Sequence, residues 1–422
     1  MWVSCRRTRH TGPVVASTVP RTWTPWRSVV AFGLVSLAAD MVYEGMRSVA
    51  GPFLGSLGAS ALTVGLVTGA GEAIALVLRL FAGPAADRTG NHWGFATTGY
   101  ALTAVCVPLL AVTPFLGSAG LGLACLLVLA ERTGKAVRSP SKSALLAGMA
   151  KKVGRGRGFA VHKALDQVGA FAGPLLVAGV AAAAGGRIWL GFLVLAVPGA
   201  VSLVLLAQLR RHAPIEQPAA HPHTDAPRPP FRAQFAALPR TFRLFALSCA
   251  ASTLGLMTFG VISYALVDGD LVSPALVPVV YAGAMAVEAV AALGTGYLYD
   301  RAGAGVLYAL PLLVAPVPAL VFGDALTAVL VGVALWGLAT GVQDSTVKAL
   351  VADLVPASTL GTAYGVFAAA QGIGALAGGG LAGGLYTEHL GLLVAIVGAL
   401  QALSLATLVP AVRATRPHRV GR

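Results

Sequence analysis

Apolar residues fall in long unbroken runs along this chain, not at alternate positions and not in short amphipathic windows. Each run of about 20 residues is long enough to cross roughly 30 Å of hydrocarbon as a helix. The runs predict twelve spanning helices, at 28–54, 61–82, 95–114, 119–147, 158–182, 188–208, 241–266, 274–298, 304–322, 325–352, 360–386 and 389–410. The alternating segments of about 10 residues that mark a membrane barrel are not found. The expected fold class is therefore an all-α integral membrane protein.

Composition agrees with the pattern. Of 422 residues, 56% are hydrophobic and 11% charged, with a mean hydropathy of +0.78, against roughly 25% charged in an ordinary soluble domain. The 52 glycines and 25 prolines suit membrane helices, where small residues allow close approach and proline is tolerated at kinks. The net charge of +14 matters through its distribution. Arg6, Arg7, Arg9, Arg21 and Arg27 precede the first run, and Lys151, Lys152, Arg155 and Arg157 separate the fourth from the fifth. Arg210, Arg211, Arg228, Arg232 and Arg240 separate the sixth from the seventh, and Arg413, Arg416, Arg419 and Arg422 follow the last. Loops on the opposite side lack Lys and Arg, with Arg187 the exception. The positive-inside rule then places both termini and the long central loop in the cytoplasm of a plasma (inner) membrane protein. It also accounts for the basic residues without nucleic acid. Residues 1–27 are basic and free of acids, as a transit peptide is, but the same rule explains them as a cytoplasmic tail. Cys5, Cys106, Cys125 and Cys249 are scattered, so neither a disulfide framework nor a metal site is expected, and no cofactor is implied.

The stretch 209–240 interrupts the pattern with Pro, His and Arg and divides the runs six and six. The expected units are a tail at 1–27, a six-helix half at 28–208, a linker at 209–240, a second half at 241–410 and a tail at 411–422. The halves repeat. At an offset of 205, GAFAG at Gly169 to Gly173 falls on GALAG at Gly374 to Gly378. At an offset of 213, GPAADRTG at Gly83 to Gly90 falls on GYLYDRAG at Gly296 to Gly303. Parallel repeats of this kind place a substrate path near the bilayer midplane, between the halves.

These residues carry a resemblance. Gly83, Asp87, Arg88 and Gly90 match the G-x-x-x-D-R-x-G loop signature of the major facilitator superfamily, and Gly296, Asp300, Arg301 and Gly303 repeat it. The chain resembles that family from Arg27 to Pro410, which implies two six-helix halves and a cytoplasmic gate held by these loops. Asn91 departs from the usual basic residue, which implies either a weaker gate or one completed by His92. Gly169, Gly173 and Pro174 are similar to the G-x-x-x-G-P signature that the family associates with export by antiport. A packing seam of small residues would look the same. ERTGKAVR, from Glu131 to Arg138, loosely resembles the basic signature of the family's fourth helix, with Arg132 as the counterpart.

The remaining signal is charge inside the runs. Insertion of a charged side chain at mid-membrane costs about 2.5 to 3.5 kcal/mol, so such residues face a bundle interior or a wet cavity. Asp40, Tyr43, Glu44 and Arg47 recur at helical spacing on one face of the first run, and Glu72 and Arg79 share a face of the second. Glu131, Arg132 and Lys135 lie in the fourth and His162 and Asp166 in the fifth; the second half has chiefly Glu288, Asp344 and Lys348. Two carboxylates one turn apart in a low-dielectric site can exchange a proton near neutral pH, which makes Asp40 and Glu44, with Glu72, the expected proton-coupling groups. Tyr43, Arg47, Arg79, Glu131, Arg132 and Asp166 are the expected cavity residues. The alternative is static pairing, in which Asp40 or Glu44 neutralises Arg47 or Arg79. His162 is expected at the interface, and Trp189 and Trp336 as packing residues or interface anchors.

Most like the resemblance is a bacterial drug or small-molecule:proton antiporter that works as a monomer in the lipid bilayer, exchanging protons for a small-molecule substrate. Uptake of an anionic or zwitterionic solute by symport is the alternative, and a transport-inactive sensor or assembly factor is the alternative from another class. No enzyme motif such as H-E-x-x-H or G-x-S-x-G is present.

Overall fold

The computed structural model describes residues 23–213, 235–236, 238–356 and 359–415, without the side chains of 348 and 349. Most of the tail at 1–27, most of the linker at 209–240 and residues 416–422 of the last tail lie outside the described residues. Among those described there is no strand.

Helix α1 spans Pro25–Ser56 and α2 spans Ala61–Val77. Thr24 and Ser60 start them, each side chain accepting a backbone N–H from three residues on, at 3.3 and 3.2 Å, as helix N-termini require. After a break at Leu78, α3 covers Arg79–Thr89 and stops at Gly90, whose φ of 63° suits glycine. Asn91 caps α4, His92–Leu109, by accepting from Gly94 N at 3.0 Å. A 3-10 turn, Leu110–Phe115, extends it. Then come α5 at Ala119–Ala150, α6 at Arg155–Ala183, α7 at Ile188–Val194 and α8 at Ala196–His212.

The second half opens with α9 at Arg240–Leu256 and α10 at Phe259–Asp268, separated at Met257, whose φ is 51°. Next are α11 at Val277–Ala302, a 3-10 turn at Gly303–Tyr308, and the short α12 at Ala309–Val314 and α13 at Val317–Val321. Helices α14 at Leu326–Leu354, α15 at Leu360–Leu385 and α16 at Leu390–Ala414 complete the chain. All twelve predicted runs are helical. The run at 304–322 is not one continuous helix, because Pro316 and Pro318 lack the N–H that would carry it on.

Among the described residues, ten segments are long and apolar enough to cross a membrane. One of them, Val277–Val321, holds two predicted runs, while α5 is long enough but carries Glu131, Arg132, Lys135, Arg138 and Lys142. The arrangement is consistent with twelve passes. Trp23 N donates to His212 O at 3.0 Å, and their rings stack 5.3 Å apart. The starts of α1 and α9 and the ends of α8 and α16 define one face, called here the terminal face; the opposite one is the far face.

Apolar packing is built separately before and after the interruption. Two buried clusters draw on residues from Val29 to Leu209, and a third draws on Leu238 to Val412. Inside each half, glycine sets the closest approach. A Cβ at Gly169 or Gly173 of α6 would overlap the Leu37 or Met41 carbonyl oxygen of α1. A Cβ at Gly374 or Gly378 of α15 would meet those of Ala250 and Leu254 in α9. These pairs are related by the offsets of 205 and 213 seen in the sequence, so the repeat extends to packing.

Between the halves, α1 packs on α10, α6 on α11, and α2 along α15. Gly65 and Gly379 touch through their backbones, each lying where the other's Cβ would be, and Gly383 does the same against Ala61. At the far face Gly51 lies against Gly260 and Tyr264. Gly379→Val is expected to lower stability by about 1 to 3 kcal/mol through overpacking, read as a drop in the melting temperature of the purified protein. Gly398→Ala, where no atom lies within 4 Å, is expected to leave it unchanged or raise it slightly. Equal losses at both positions would contradict a close seam.

Candidate functional site

Between the halves lies a cavity of about 330 Å³, walled by both. The first half contributes Asp40, Tyr43, Glu44 and Arg47 from α1, Glu72 and Arg79 from α2 and α3, Lys135, Arg138 and Lys142 from α5, and Lys163 and Asp166 from α6. The second contributes Thr253, Met285, Glu288, Trp336, Gln343, Asp344 and Gln371. The second-half wall thus has fewer charges than the first but is also polar.

The first-half charges form a connected network centred on Arg132, which is 3% exposed. Its Nη1 donates to the Tyr43 hydroxyl at 2.5 Å and lies 3.4 Å from Glu72 Oε1, while Nε lies 3.1 Å from Glu131 Oε2. Its guanidinium also sits 4.0 Å from the centre of the Tyr43 ring, and Lys135 Nζ lies 3.5 Å from the same ring centre, which holds cations by the ring's negative face. Arg47 Nη2 reaches Glu72 Oε1 at 3.2 Å, and its Nη1 lies 3.7 Å from Glu44 Oε2. Thr103 donates to Glu131 Oε1 at 3.0 Å and accepts from Arg138, which pairs with Asp40 at 3.6 Å. On α6, Asp166 lies 3.2 Å from Lys142 Nζ and 3.7 Å from His162 Nδ1.

Glu131 departs from expectation. It is fully buried behind Arg132 and does not line the cavity, because a carboxylate so enclosed must be satisfied by Arg132 and Thr103. Arg132 itself reaches the Arg47 and Glu72 side of the site. His162 is not interfacial: it is 4% exposed, 2.9 Å from Ser36 Oγ, and edge-on to Phe32. Trp189 packs edge-on to Phe115, while Trp336 is buried and lines the cavity.

Three participants were not read from the sequence. Tyr281 of α11 donates to Glu44 Oε2 at 2.5 Å and accepts from Arg47 Nη1 at 3.2 Å, linking the halves through hydrogen bonds. Its signal was available, since Tyr281 and Glu288 lie seven residues apart and share a helix face. Lys142 continues the one-turn spacing of Lys135 and Arg138 on α5, and Lys163 of α6 also faces the cavity. A further link between the halves, Thr68 to Thr258 at 2.7 Å, joins α2 to the break before α10.

The two loop motifs do not meet. Asp87, Arg88, Asp300 and Arg301 are exposed. His92 Nε2 lies 3.7 Å from Asp87 Oδ1, and Arg301 covers the Tyr297 ring at 4.2 Å. Gly90 and Gly303 both adopt positive φ and end their helices, whereas at Gly296 the structure shows open space and at Gly83 only the Pro140 ring nearby. Helices α5 and α14, which flank the cavity towards the terminal face, make no extended contact. The halves meet at the far face through α1 and α10, while the α2–α15 seam runs from Ala61 and Gly383 as far as Gly365, which lies against Leu80 of α3. A separate crevice of about 390 Å³ at the far face is lined by other residues, among them Phe53, Arg187, Trp189 and Asp268. It lies away from the charge network.

Known proteins share this fold. The profile of the Major Facilitator Superfamily matches residues 30–315. The chain belongs to that superfamily, and it is a multi-pass membrane transporter. An uncharacterized protein of Mycobacterium tuberculosis is 47% identical over 388 residues, covering 91% of this chain and 92% of its own. An uncharacterized MFS-type transporter of Methanocaldococcus jannaschii is 29% identical over 150 residues, or 36% of each chain. Among solved structures, the nucleoside transporter NupG superimposes with a TM-score of 0.69 at 14% identity, covering 91% of this chain and 98% of that one. A bacterial homologue of the human lysosomal transporter Spinster, in an inward-facing and unoccupied conformation, gives 0.62 at 17% identity over 93% and 95%. These likenesses show the shared fold.

Removing Arg132 tests the network. Arg132→Met strands Glu131 and is expected to cost about 3 to 5 kcal/mol, seen as reduced thermal stability in detergent. Glu131→Gln in the same chain is expected to recover part of that loss. A single variant as stable as the parent would contradict the hub.

Proposed function

We propose that the chain is a secondary active transporter that exports a small organic molecule across the plasma membrane in exchange for protons, by alternating access. The carrying observation is a cavity walled by both halves and rich in ionisable groups, whose flanking helices α5 and α14 make no extended contact. With the basic loops read as cytoplasmic, the terminal face is the one turned to the cytoplasm. In this reading the halves rock about the glycine seams. The far face opens when the contacts of Tyr281 with Glu44 and Arg47 break, and the terminal face closes as Asp87, Arg88, Asp300 and Arg301 take up partners across the gate. Gly169 and Gly173 hold α6 against α1 within the first half, so together with Pro174 they serve that unit's packing and not the boundary about which the halves rock.

Proton exchange is assigned to Asp40, Glu44 and Glu72. Each faces the cavity and each is held by a cation that a proton can replace: Arg138 for Asp40, and Arg47 for Glu44 and Glu72. Protonation would release the cation and, at Glu44, weaken its link to the second half, coupling occupancy to the position of the halves. Uptake by symport is a second reading, favoured by Arg79 and Lys135, which line the cavity and pair with no carboxylate among the described residues. The chain is read as working as a monomer, because each cavity wall comes from the one chain.

Proteoliposomes with an imposed pH gradient test this reading with a panel of cationic, zwitterionic and anionic solutes. Asp40→Asn with Glu44→Gln is expected to abolish gradient-driven flux while leaving downhill exchange. Flux and pH dependence unchanged from the parent would end the coupling assignment. Asp87→Asn is expected to slow turnover with little effect on solute affinity; normal turnover with altered affinity would contradict a gating role.

A further inference from the structure

The ionic groups of the cavity separate into those with partners and those without. Arg47 is engaged by Glu72 and Glu44, Arg138 by Asp40 and Lys142 by Asp166. Lys135, Arg79 and Lys163 line the first-half wall and form no ion pair among the described residues. Across from them, Glu288 of α11 lines the second-half wall and forms neither an ion pair nor a hydrogen bond there. An unpaired ionisable group in a membrane-spanning region marks a substrate or ion path.

Two buried atoms independently point to a missing occupant. Trp336 is 2% exposed and lines the cavity, yet its Nε1–H has no acceptor. Arg79 Nε is likewise buried without one. Buried donors in folded proteins are nearly always satisfied. Both belong to side chains that line the same space.

We propose that the cavity binds a zwitterionic organic solute. Its anionic group is held by Lys135 and Arg79 and its ammonium group by Glu288, while Trp336 Nε1–H donates to a neutral acceptor atom of the solute. A simple anion would leave Glu288 uncompensated and would be repelled by it. A simple cation would face Lys135, Arg79 and Lys163, three cations against the two carboxylates, Glu288 and Asp344, of the opposite wall. A solute with both charges satisfies both walls at once and contacts both halves, as a ligand must if its binding is to bias their arrangement. The inference rests on the transporter reading above and adds the class of solute.

The test is the thermal shift of the purified full chain with matched probes: alanyl-phenylalanine, its N-acetyl derivative and its C-terminal amide, and phosphoethanolamine beside inorganic phosphate and ethanolamine. Zwitterionic members are expected to stabilise, and their singly charged counterparts to do so at least about tenfold more weakly, as loss of one charge-assisted contact implies. Glu288→Gln is expected to remove the preference for a free amine, and Lys135→Gln the preference for a free anionic group. Glu288→Asp and Lys135→Arg retain both preferences and control for folding. Stronger stabilisation by the acetylated, amidated or singly charged probes would overturn the proposal, as would a panel in which nothing stabilises. A singly charged probe that binds and is then moved by a gradient in proteoliposomes would overturn the solute class alone. A zwitterion that binds but is never moved would overturn the transporter reading instead.

Discussion

A charge inside hydrocarbon must be paired or wet, and the interior of this protein follows from that constraint. Arg132 is the fixed point. It is nearly inaccessible, and within its reach are Glu131, Glu72 and Tyr43, drawn from three helices. Fixing Glu72 fixes the partner of Arg47, and Arg47 in turn orients Glu44 and the hydroxyl of Tyr281 in the other half. A chain of ionic contacts thus runs from the buried side of α5 to the boundary between the halves. Groups deep in the chain are structural, whereas those at its cavity end can trade partners.

The halves themselves are joined by weaker means. Each has its own apolar core, and their contact is made largely through glycine backbones and a few hydroxyls. Such seams lack the large interlocking side chains that would resist sliding, and a membrane offers no hydrophobic penalty for opening an apolar surface to lipid. The close fit of α6 on α1, and of α15 on α9, instead lies within a half, where it keeps each six-helix unit rigid. Rigid units on a smooth boundary are the mechanical requirement for rocking.

Much of this was legible in the sequence. Apolar runs located all the helices because spanning length is a one-dimensional property, and the spacing of Asp40, Tyr43, Glu44 and Arg47 put them on one face, as the cavity shows. What the sequence did not reveal depends on contacts between distant residues. Glu131 looked like a cavity residue because position along a helix does not tell which side of Arg132 it occupies. Trp336 passed as a packing residue and Tyr281 was not singled out; the atoms around their polar tips set them apart. The break at Met257 had no local signal at all, and the interruption near Pro316 had one that length alone concealed.

Everything rests on whether the seal moves from one face to the other. Pairs of spin labels read this directly by pulsed distance measurement in lipid, one pair at Ser56 and Asp270 on the far face and one at Thr89 and Ala302 beside the two loop motifs, all exposed positions. Alternating access predicts two populations at each pair, with solute or proton shifting them in opposite directions: as the far-face distance lengthens, the distance between the loop motifs shortens. Distances that stay single and unchanged under every condition, or that lengthen and shorten together, would contradict it.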